Sequence, residues 1–306
     1  MKVFIFPRGW HLNNIQSIEA LANKINFSPE EIKLLSNTAD KNFRKKEIKG
    51  RTLFIPSPQL KNLQRLLLER CFFFDFPVCV QGGIRGRSII SNAKIHRCKK
   101  WVANVDIKKF FPSAHYTNIE NIFKSLGVAP HVAKTLTRLT TFKYQLPQGA
   151  PTSPFLANLL LYSLDKRISN LCKKLKFSYT RYFDDITISG SQNPTKIISK
   201  VKLIIEQEGY RMHVKEKLKI LPSSEEQTVT GLVVNKKQLQ LPAGEEKNIF
   251  ILLNQLTKKN YPAEFFDNHQ KFKKSLEGKI AFFISINKKK GKKAQRIYKN
   301  LIWPDT

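Results

Sequence analysis

Acidic residues are scarce in this sequence. Its 306 residues include 23 Asp and Glu against 54 Lys and Arg, which gives a formal net charge of +31. So large an excess of cations strains a compact fold by self-repulsion unless the protein works among polyanions. We therefore expect a nucleic acid as its partner, with an acidic membrane surface as the weaker alternative.

Long apolar runs are lacking as well. No stretch reaches the roughly 18 residues of a membrane-spanning helix, and the opening MKVFIFPRGW does not have the layout of a signal peptide. We therefore expect no membrane association. The hydrophobic content of 41% and the aromatic content of 11% are high enough to exclude a disordered basic tail, and they predict packed cores.

Metal-binding cysteine and histidine patterns are also missing. The four cysteines include no C-x-x-C pair, and the six histidines include no H-E-x-x-H motif. This spacing gives neither a zinc ribbon nor a plausible disulfide framework. We expect reduced, packed thiols and a cytoplasmic location.

The pattern of the chain changes at Trp101 and again after Pro242. Residues 1–100 combine helical segments with a basic loop, 101–240 have a β–α–α–β–β–α–β order, and 241–306 are basic and mostly helical. This order predicts an α+β fold with one sheet and helices on one face. The predicted strands are 52–56, 101–107, 177–183, 186–190, 218–221 and 229–234, and the main predicted helices are 12–26, 59–74, 117–126, 130–141, 155–175 and 195–208.

Two carboxylate positions lie at strand ends. Asp106 ends an apolar strand, and the adjacent Asp184 and Asp185 lie at the tip of a predicted hairpin. Aspartate is common in turns, so a plain surface hairpin is one interpretation. Carboxylates at matching ends of neighbouring strands would instead form a hard-oxygen site for two Mg²⁺ ions about 4 Å apart. Such a site in a basic protein favours a nucleotide polymerase or a nuclease.

Three longer motifs make the second interpretation specific. Tyr182-Phe183-Asp184-Asp185 matches a Y-x-D-D box, and residues 104–113, NVDIKKFFPS, resemble a first catalytic box. Residues 146–154, LPQGAPTSP, match the pattern L-P-Q-G-x-x-x-S-P. Their order and spacing resemble those of reverse transcriptases.

Two shorter elements narrow the resemblance. Asn92-Ala-Lys-Ile-His96 fits the N-A-x-x-H element of retron-type bacterial reverse transcriptases, and Val229-Thr230-Gly231 fits their V-T-G element. Taken singly, Asn92 could be a helix cap and Gly231 a strand-ending glycine. Flanking the catalytic boxes, they make the chain similar to the retron type over residues 50–240, and more loosely over 278–301.

The resemblance implies a right-hand polymerase fold. It would place N-terminal helices and fingers in 1–100, with a further fingers segment near 114–147. An RRM-like palm with an antiparallel sheet would occupy 101–240, and a basic helical thumb would occupy 241–306.

The resemblance also implies roles for individual residues. The catalytic residues would be Asp106, Asp184 and Asp185, which with the Ile107 carbonyl would hold two Mg²⁺ ions. Phe111 would be a steric gate against ribonucleotides, although it could also be a core residue. The other expected nucleotide contacts are Gln148, Gly149, Arg51, Arg85 and Arg87, with Lys215 or Lys217 protonating pyrophosphate.

Arg51, Arg85 and Arg87 could equally be solvated loop charges.

Primer and template contacts would come from Pro151, Ser153, Tyr182 and Phe183. Phe183 departs from the family, which usually has Ala at this position, and the larger ring could change primer placement or nucleotide choice. The expected RNA-binding residues are Asn92, His96, Val229, Thr230, Gly231, Lys289, Lys290 and Lys293.

The function implied is that of an RNA-directed DNA polymerase. Retron enzymes copy part of their own structured non-coding RNA (msr-msd) into a small single-stranded DNA (msDNA), joined to RNA by a 2′–5′ branch. The expected partners are therefore this RNA, its RNA–DNA product, deoxynucleotides and a separately encoded effector protein in antiphage defence. The alternatives are another bacterial reverse transcriptase, of the abortive-infection or intron type, and a non-catalytic RNA-binding scaffold with a polymerase fold.

Overall fold

Serine side chains begin the first helices. The computed structural model describes residues 4–6, 15–48, 50–213 and 218–304. The Ser17 hydroxyl accepts the amide N–H of Ala20, and the Ser28 hydroxyl accepts that of Glu31. The Glu31 carboxylate accepts the N–H of Ser28, which completes a capping box and confirms the helix start predicted there. The N-terminal helices are α1 (Ile18–Ile25), α2 (Pro29–Asn37), α3 (Pro58–Arg70) and α4 (Ile89–Ile95).

A basic hairpin lies between α2 and α3. Its antiparallel strands are β1 (Phe43–Ile48) and β2 (Arg51–Pro56). The sequence predicted only the second strand, because consecutive charged residues in β1 hide the alternation that identifies a strand. The Phe54 amide N–H donates to the Gln148 carbonyl over 2.7 Å, which attaches the hairpin to the loop that contains the L-P-Q-G motif.

The central sheet has four antiparallel strands in the order β4-β5-β3-β6. A tight turn joins β4 to β5, which confirms the predicted hairpin. The other edge of β5 pairs with β3. These strands are β3 (Trp101–Asp106), β4 (Ser178–Tyr182), β5 (Asp185–Gly190) and β6 (Lys219–Pro222).

One face of this sheet is apolar. Ala103, Val105, Ile186 and Ile188 alternate with residues of the other face and lie inside the main core. Helical residues of the same core pack with them, as predicted for the face that helices cover. The helices are α8 (Ser153–Leu160), α9 (Tyr162–Lys174) and α10 (Thr195–Gln207).

The opposite face is polar. The register pairs Asn104 with Thr187 and Asp106 with Asp185. The Thr187 hydroxyl donates to the Asn104 side-chain oxygen over 3.1 Å, and the Asn104 amide donates to the Thr228 carbonyl over 2.8 Å. Helix α4 and a small hairpin cover this face away from the carboxylates, so the prediction of helices on one face only was wrong. The hairpin consists of β7 (Thr228–Val229) and β8 (Leu232–Val233).

The segment between β3 and β4 is helical, as predicted. The predicted helices 117–126 and 130–141 are both present, and they are connected to β3 by a single short turn of helix. The predicted helix 155–175 is divided at Leu161, which leaves helical geometry with φ −95° and ψ 4°. The remaining helices here are α5 (Phe110–Ser113), α6 (Tyr116–Ser125) and α7 (Pro130–Thr140).

The C-terminal helices share a second core with residues of α4, β3 and the β7–β8 hairpin. Asparagine side chains start two of its helices: Asn268 accepts the N–H of Lys271, and Asn287 accepts that of Lys290. Gly291 allows the last two helices to touch, because a Cβ there would lie 2.5 Å from the backbone of Ile284. The helices are α11 (Ala243–Thr257), α12 (Ala263–Asp267), α13 (His269–Ile286) and α14 (Lys288–Lys299). Over the residues described, we find no helix with the length and apolar character to span a bilayer.

Candidate active site

A cleft of about 870 Å³ opens at the end of the polar face of the sheet. It brings together parts of all three sequence motifs. Its walls comprise Arg51, Arg65, Asp106, Phe111, Gln148, Gly149, Ala150, Pro151, Ser153, Pro154, Tyr182, Phe183, Asp184 and Asp185. All of these except Arg65, Ala150 and Pro154 belong to the site predicted from the sequence.

Strand register brings the three aspartates to the same end of the sheet. Asp106 ends β3 directly opposite Asp185, the first residue of β5. Asp184 lies in the preceding turn, where its carbonyl accepts the amide N–H of Ile107 over 3.1 Å. The Asp106 carbonyl accepts the N–H of His213 over 2.8 Å. Asp106 is buried whereas Asp185 is exposed, so the acidic group extends from the floor of the cleft to its mouth.

This donor set fits magnesium. Within the described ranges, no three His, Cys, Asp or Glu side chains are gathered as a complete metal site. Mg²⁺ at phosphoryl-transfer sites is usually held by one or two carboxylates, with phosphate oxygens of the substrate and water as the other ligands. Carboxylates from two adjacent strands, open to a cleft, match that partial set of protein ligands.

A buried ion pair lies behind the aspartate turn. Arg181 and Asp165 are fully buried and form a bidentate contact, with N–O distances of 2.8 Å and 2.6 Å. The Tyr179 hydroxyl donates to the same carboxylate over 2.6 Å. Burial raises the pKa of Tyr179 well above its usual value, and the Asp165 carboxylate raises it further. Burial alone would lower the pKa of Arg181, but Asp165 outweighs it and the shift is upward.

The ion pair is connected directly to the turn. The Arg181 guanidinium donates to the Phe183 carbonyl over 2.8 Å and to the Asn158 side-chain oxygen over 3.0 Å. The Asn158 amide donates to the Gly82 carbonyl over 2.9 Å. Arg181 thus holds the backbone next to Asp184 directly, and Asp165 and Asn158 hold Arg181 in place. Asp165 belongs to none of the sequence motifs, so the sequence alone does not predict this network.

Phe183 packs directly against Gly82 and Gly83. A Cβ on Gly82 would lie 2.6 Å from the Phe183 nitrogen, and one on Gly83 would lie 3.1 Å from the Phe183 ring. Phe183 itself has a φ of 56°, in the left-handed region. The ring that replaces the usual Ala therefore packs on a glycine surface and contacts the Tyr182 ring edge-on at 5.0 Å.

The loop of residues 146–154 forms another wall. Gly149 has a φ of 112°, and a Cβ there would meet the Phe54 carbonyl at 3.2 Å. The Ser153 hydroxyl closes the loop by donating to the Pro147 carbonyl over 2.6 Å. Gln148 is held through its carbonyl by β2, as described above. Glycine is needed here because the backbone must pass close to the hairpin.

Phe111 reaches the cleft from α5. Its ring contacts the ring of the buried Phe110 at 5.4 Å, edge-on, while Phe111 itself is only half-buried. The position is thus compatible with a gate at the cleft wall, and Phe110 is the core residue of the pair.

The predicted arginines separate into two groups. Arg51 lines the cleft, together with Arg65 of α3, which no sequence motif identified. Arg87 does not line it: its guanidinium donates to the carbonyls of Phe76, Pro77 and Val80. The structure therefore favours Arg65 over Arg87 as an anion contact, because Arg87 is used to hold a loop together. Arg85 is exposed and outside the cleft wall, and Lys215 and Lys217 lie outside the described residues.

The first of the two short retron-like elements, Asn92–His96, packs on the sheet through His96. His96 is fully buried, with one ring nitrogen 2.7 Å from the Thr180 hydroxyl and the other 2.7 Å from the Ser189 hydroxyl. Burial, and secondarily Lys99, lowers the pKa of His96 to about 3. The prediction of RNA contact by His96 does not agree with this geometry, because the ring is enclosed between α4 and the sheet.

Asn92 and Val229 are buried too. The Asn92 amide lies 3.4 Å from the Thr230 hydroxyl, which donates to the Ile89 carbonyl over 3.2 Å. Thr230 and Gly231 form the turn between β7 and β8, with φ of 46° and 81°. Asn92, Val229 and Thr230 therefore join α4 to this hairpin, and Gly231 is exposed, so its RNA contact stays a prediction.

The basic run at residues 288–293 starts α14. Lys290 forms an ion pair with Glu246 at 2.6 Å, and Lys293 lies over the Phe250 ring at 5.9 Å. Glu246 is distant from Lys290 in the chain, so the sequence alone does not identify this pair. Lys289 is exposed, like Lys288 and Lys292.

Fold and cleft together define a class of protein. An antiparallel sheet presents carboxylates at matching strand ends, facing a loop with a close-packed glycine, in a chain of net charge +31. This arrangement is typical of nucleotide polymerases that act on nucleic acids.

Comparison with known proteins identifies the family. Residues 43–234 match the family described as "Reverse transcriptase (RNA-dependent DNA polymerase)". The chain belongs to this family, and its relatives are of the retron type. Family membership implies the polymerase fold, and the mixed helices and antiparallel sheets agree with it.

Three retron relatives illustrate the similarity. The chain is 34% identical over 250 residues to the Retron Ec86 reverse transcriptase of Escherichia coli, covering 77% of this chain and 75% of the relative. It is 33% identical over 273 residues to the Retron Mx162 reverse transcriptase of Myxococcus xanthus, covering 76% and 56%. It is 36% identical over 200 residues to the Retron Se72 reverse transcriptase of Salmonella heidelberg, covering 62% and 52%. The chain thus spans little more than half the length of two of these relatives.

Proposed function

We propose that this protein is the reverse transcriptase of a retron, copying part of its own structured non-coding RNA into single-stranded DNA. The observation that carries this proposal is the register of β3 and β5, which sets Asp106 opposite Asp185 with Asp184 at the adjoining turn. Family membership supplies the direction of synthesis, from RNA to DNA.

In this proposal Asp106, Asp184 and Asp185, with the Ile107 carbonyl, hold two Mg²⁺ ions. When bound, the ions make a 3′ hydroxyl more acidic and neutralise charge on the departing pyrophosphate. The protein contributes the fixed placement of these oxygens: buried Asp106 is immobilised in β3, and the Arg181 contact to the Phe183 carbonyl immobilises the turn.

The remaining wall residues position the substrates. Gln148 and Gly149 form the floor for the incoming deoxynucleotide, and Arg51 and Arg65 contact its triphosphate. Phe111 excludes the 2′ hydroxyl of ribonucleotides. Tyr182, Phe183, Pro151 and Ser153 contact primer and template.

The larger organisation follows the right-hand polymerase plan. We assign fingers to 1–100 and to a segment near 114–147, the palm to 101–240 and a basic thumb to 241–306. The C-terminal helices pack in the second apolar core, which they share with Val102, Val229 and Leu232 of the palm.

The partners follow from the retron assignment. They are the msr-msd RNA, its 2′–5′ branched RNA–DNA product, deoxynucleotides and a separately encoded effector in antiphage defence. We place the protein in the cytosol, and the unpaired state of its four cysteines supports that location.

The test has two parts. The first is to sequence the nucleic acid that co-purifies with the protein, before and after RNase treatment and debranching; we expect a short single-stranded DNA attached to RNA. The second is primer extension on an RNA template, in which Asp106→Asn and Asp184→Asn should each lower the rate about 10³-fold. Asp267→Asn, at an exposed position of α12, is the matched control. If both active-site variants keep more than a tenth of the wild-type rate, the assignment fails.

A further inference from the structure

A strained turn precedes the L-P-Q-G loop. Phe142 and Gln145 exchange both backbone hydrogen bonds, at 2.9 and 3.1 Å, so Lys143 and Tyr144 are the two central residues of a hairpin turn. Their φ angles are 46° and 64°. Turns with two left-handed residues normally contain Asn-Gly or Gly-Gly, because other L-residues are strained there. Strain of this kind persists where the surroundings impose it, and it clusters at functional sites.

The surroundings of the turn do impose it. The Tyr116 amide N–H donates to the Tyr144 carbonyl over 2.9 Å, and the Lys143 N–H donates to the Asp40 carboxylate over 3.2 Å. The result is an outward-facing aromatic side chain: Tyr144 is 69% exposed, and its ring lies 5.3 Å from that of Tyr116. The strained backbone thus holds the Tyr144 ring in the solvent, where its face is open to a stacking partner.

A basic cavity of about 420 Å³ lies beside the two tyrosines. Its wall contains Lys41, Lys134, Arg138 and Lys143, all of them exposed. In the part of the chain that the structure describes, no ion pair engages Lys41, Lys134 or Lys143. The cavity therefore offers several cations to a ligand.

The acidic side chains of the same wall are already engaged. Asp40 accepts the Lys143 amide N–H, and Glu120 forms an ion pair with Lys124 one turn along α6. The cavity is large enough for a base or a nucleotide, since small-molecule sites begin near 300 Å³.

We propose that Tyr144 and this cavity bind single-stranded RNA, with a base stacked on the tyrosine and phosphates on Lys41 and Lys134. Exposed aromatic rings beside cations are how proteins hold single strands without reading their sequence. The inference rests on the proposed function and extends it to a second RNA site outside the cleft.

The position of the turn suggests which strand is bound. Only two residues separate Gln145 from Gln148 in the cleft, and the Phe142 ring contacts the Phe54 ring at 4.7 Å. The turn therefore adjoins the loop that forms the nucleotide side of the cleft, where template that has not yet been copied would enter. That template is single-stranded, as is any unpaired segment of a structured RNA.

The first experiment measures equilibrium binding of a labelled single-stranded oligoribonucleotide, without nucleotides, at salt high enough to suppress non-specific binding. Tyr144→Gly should weaken affinity about 10-fold through loss of stacking, yet raise Tm by relieving the left-handed strain. Tyr144→Phe should bind like the wild type. Phe73→Ala removes a ring that is 65% exposed elsewhere, and it should change nothing.

The cations are tested by salt dependence. Lys41→Gln with Lys134→Gln should flatten the slope of log affinity against log salt by about 1.4, at about 0.7 for each phosphate contact to a single strand. Wild-type affinity and slope in both sets of variants would overturn the proposal.

A second experiment identifies the source of the strand. Primer–template duplexes with one or eight unpaired template nucleotides are bound by wild type and Tyr144→Gly. If Tyr144→Gly weakens binding of the duplex with eight unpaired nucleotides but not of the duplex with one, the site binds uncopied template. If it weakens binding of the free oligoribonucleotide but of neither duplex, the site binds another unpaired segment of the RNA. Because binding is measured without synthesis, a protein that binds but makes no DNA would refute the proposed function and leave this site standing.

Discussion

At the scale of single residues, Phe111 has the most specific expected effect. Its ring lies in the cleft wall, while the neighbouring Phe110 supplies the core contact. Phe111→Ala should relax discrimination between dGTP and GTP, because a methyl group leaves room for a 2′ hydroxyl. The measurement is the ratio of incorporation rates of the two nucleotides, with Phe111→Tyr as the variant that keeps the ring. If the ratio is unchanged in Phe111→Ala, the gate lies at another residue.

The buried pair of Arg181 and Asp165 gives a second prediction at this scale. Asp165→Asn leaves a buried guanidinium without its counter-charge, which should lower the free energy of unfolding by about 3–5 kcal/mol. Glu246→Gln is the control, since it breaks an ion pair whose Lys290 side chain is 46% exposed, and it should cost at most about 1 kcal/mol. Urea unfolding of both variants measures the difference. Equal, small losses would mean that Arg181 finds other partners.

At the scale of elements, the attachment of α4 to the sheet depends on neutral His96. Its pKa is about 3 in the folded protein and near 6.5 when unfolded, so below pH 6.5 the unfolded chain binds the additional proton. This contribution to stability is complete above pH 6.5 and is lost as pH falls toward 3. The loss between pH 7 and pH 5 should be about 2 kcal/mol.

His96→Gln tests that prediction, because glutamine can still hydrogen-bond but does not titrate. Urea midpoints of wild type and variant are compared at pH 7 and pH 5. The wild type should lose more stability than the variant over this range. Parallel losses would place the acid sensitivity in other groups, such as the carboxylates.

The elements also show what a sequence can reveal. β3 was predictable because its apolar run ends at Asp106, and β4 and β5 because β-rich runs flank Asp184 and Asp185. The helix at Ser28 was predictable because capping needs only local residues. β1 was missed because its stability comes from pairing with β2 rather than from its own pattern. Nothing local distinguishes a helix that continues through Leu161 from one that breaks there.

The difference between local and long-range contacts also determines which residues of the candidate active site could be predicted. Most cleft residues could be predicted from motifs, because residues that share one turn or one loop are also close together in the sequence. Arg65, Asp165 and Glu246 were not predictable in their roles, because each acts on a partner brought close only by the fold. His96 was assigned to RNA for its place in a motif, although burial decides its role.

At the scale of the whole molecule, the net charge of +31 is the dominant property. It predicts RNA affinity that falls steeply with salt, because each phosphate contact releases a counterion. Part of this charge lies on the lysines at the start of α14. The N-terminal end of the helix dipole is also positive, so placing these cations there is unfavourable without an anion nearby.

The structure divides the lysines at the start of α14 into two sets for a final prediction. All five are exposed, but Lys290 is paired with Glu246 and Lys293 lies over Phe250, whereas none of the described ion pairs or ring contacts involves Lys288, Lys289 or Lys292. Changing the first three to Gln should weaken binding of an RNA hairpin and flatten the slope of log affinity against log salt by about 2 to 3 units.

The matched control is the double variant Lys290→Gln with Lys293→Gln. It should change the slope less, because an ion pair and a ring contact already satisfy these cations within the protein. Titrations at several salt concentrations, with melting curves for every variant, measure both effects. Equal slopes in the triple variant and the wild type, with normal melting, would show that the start of α14 lies outside the RNA footprint. A larger effect in the double variant would show that Lys290 and Lys293 contact RNA in place of Glu246 and Phe250.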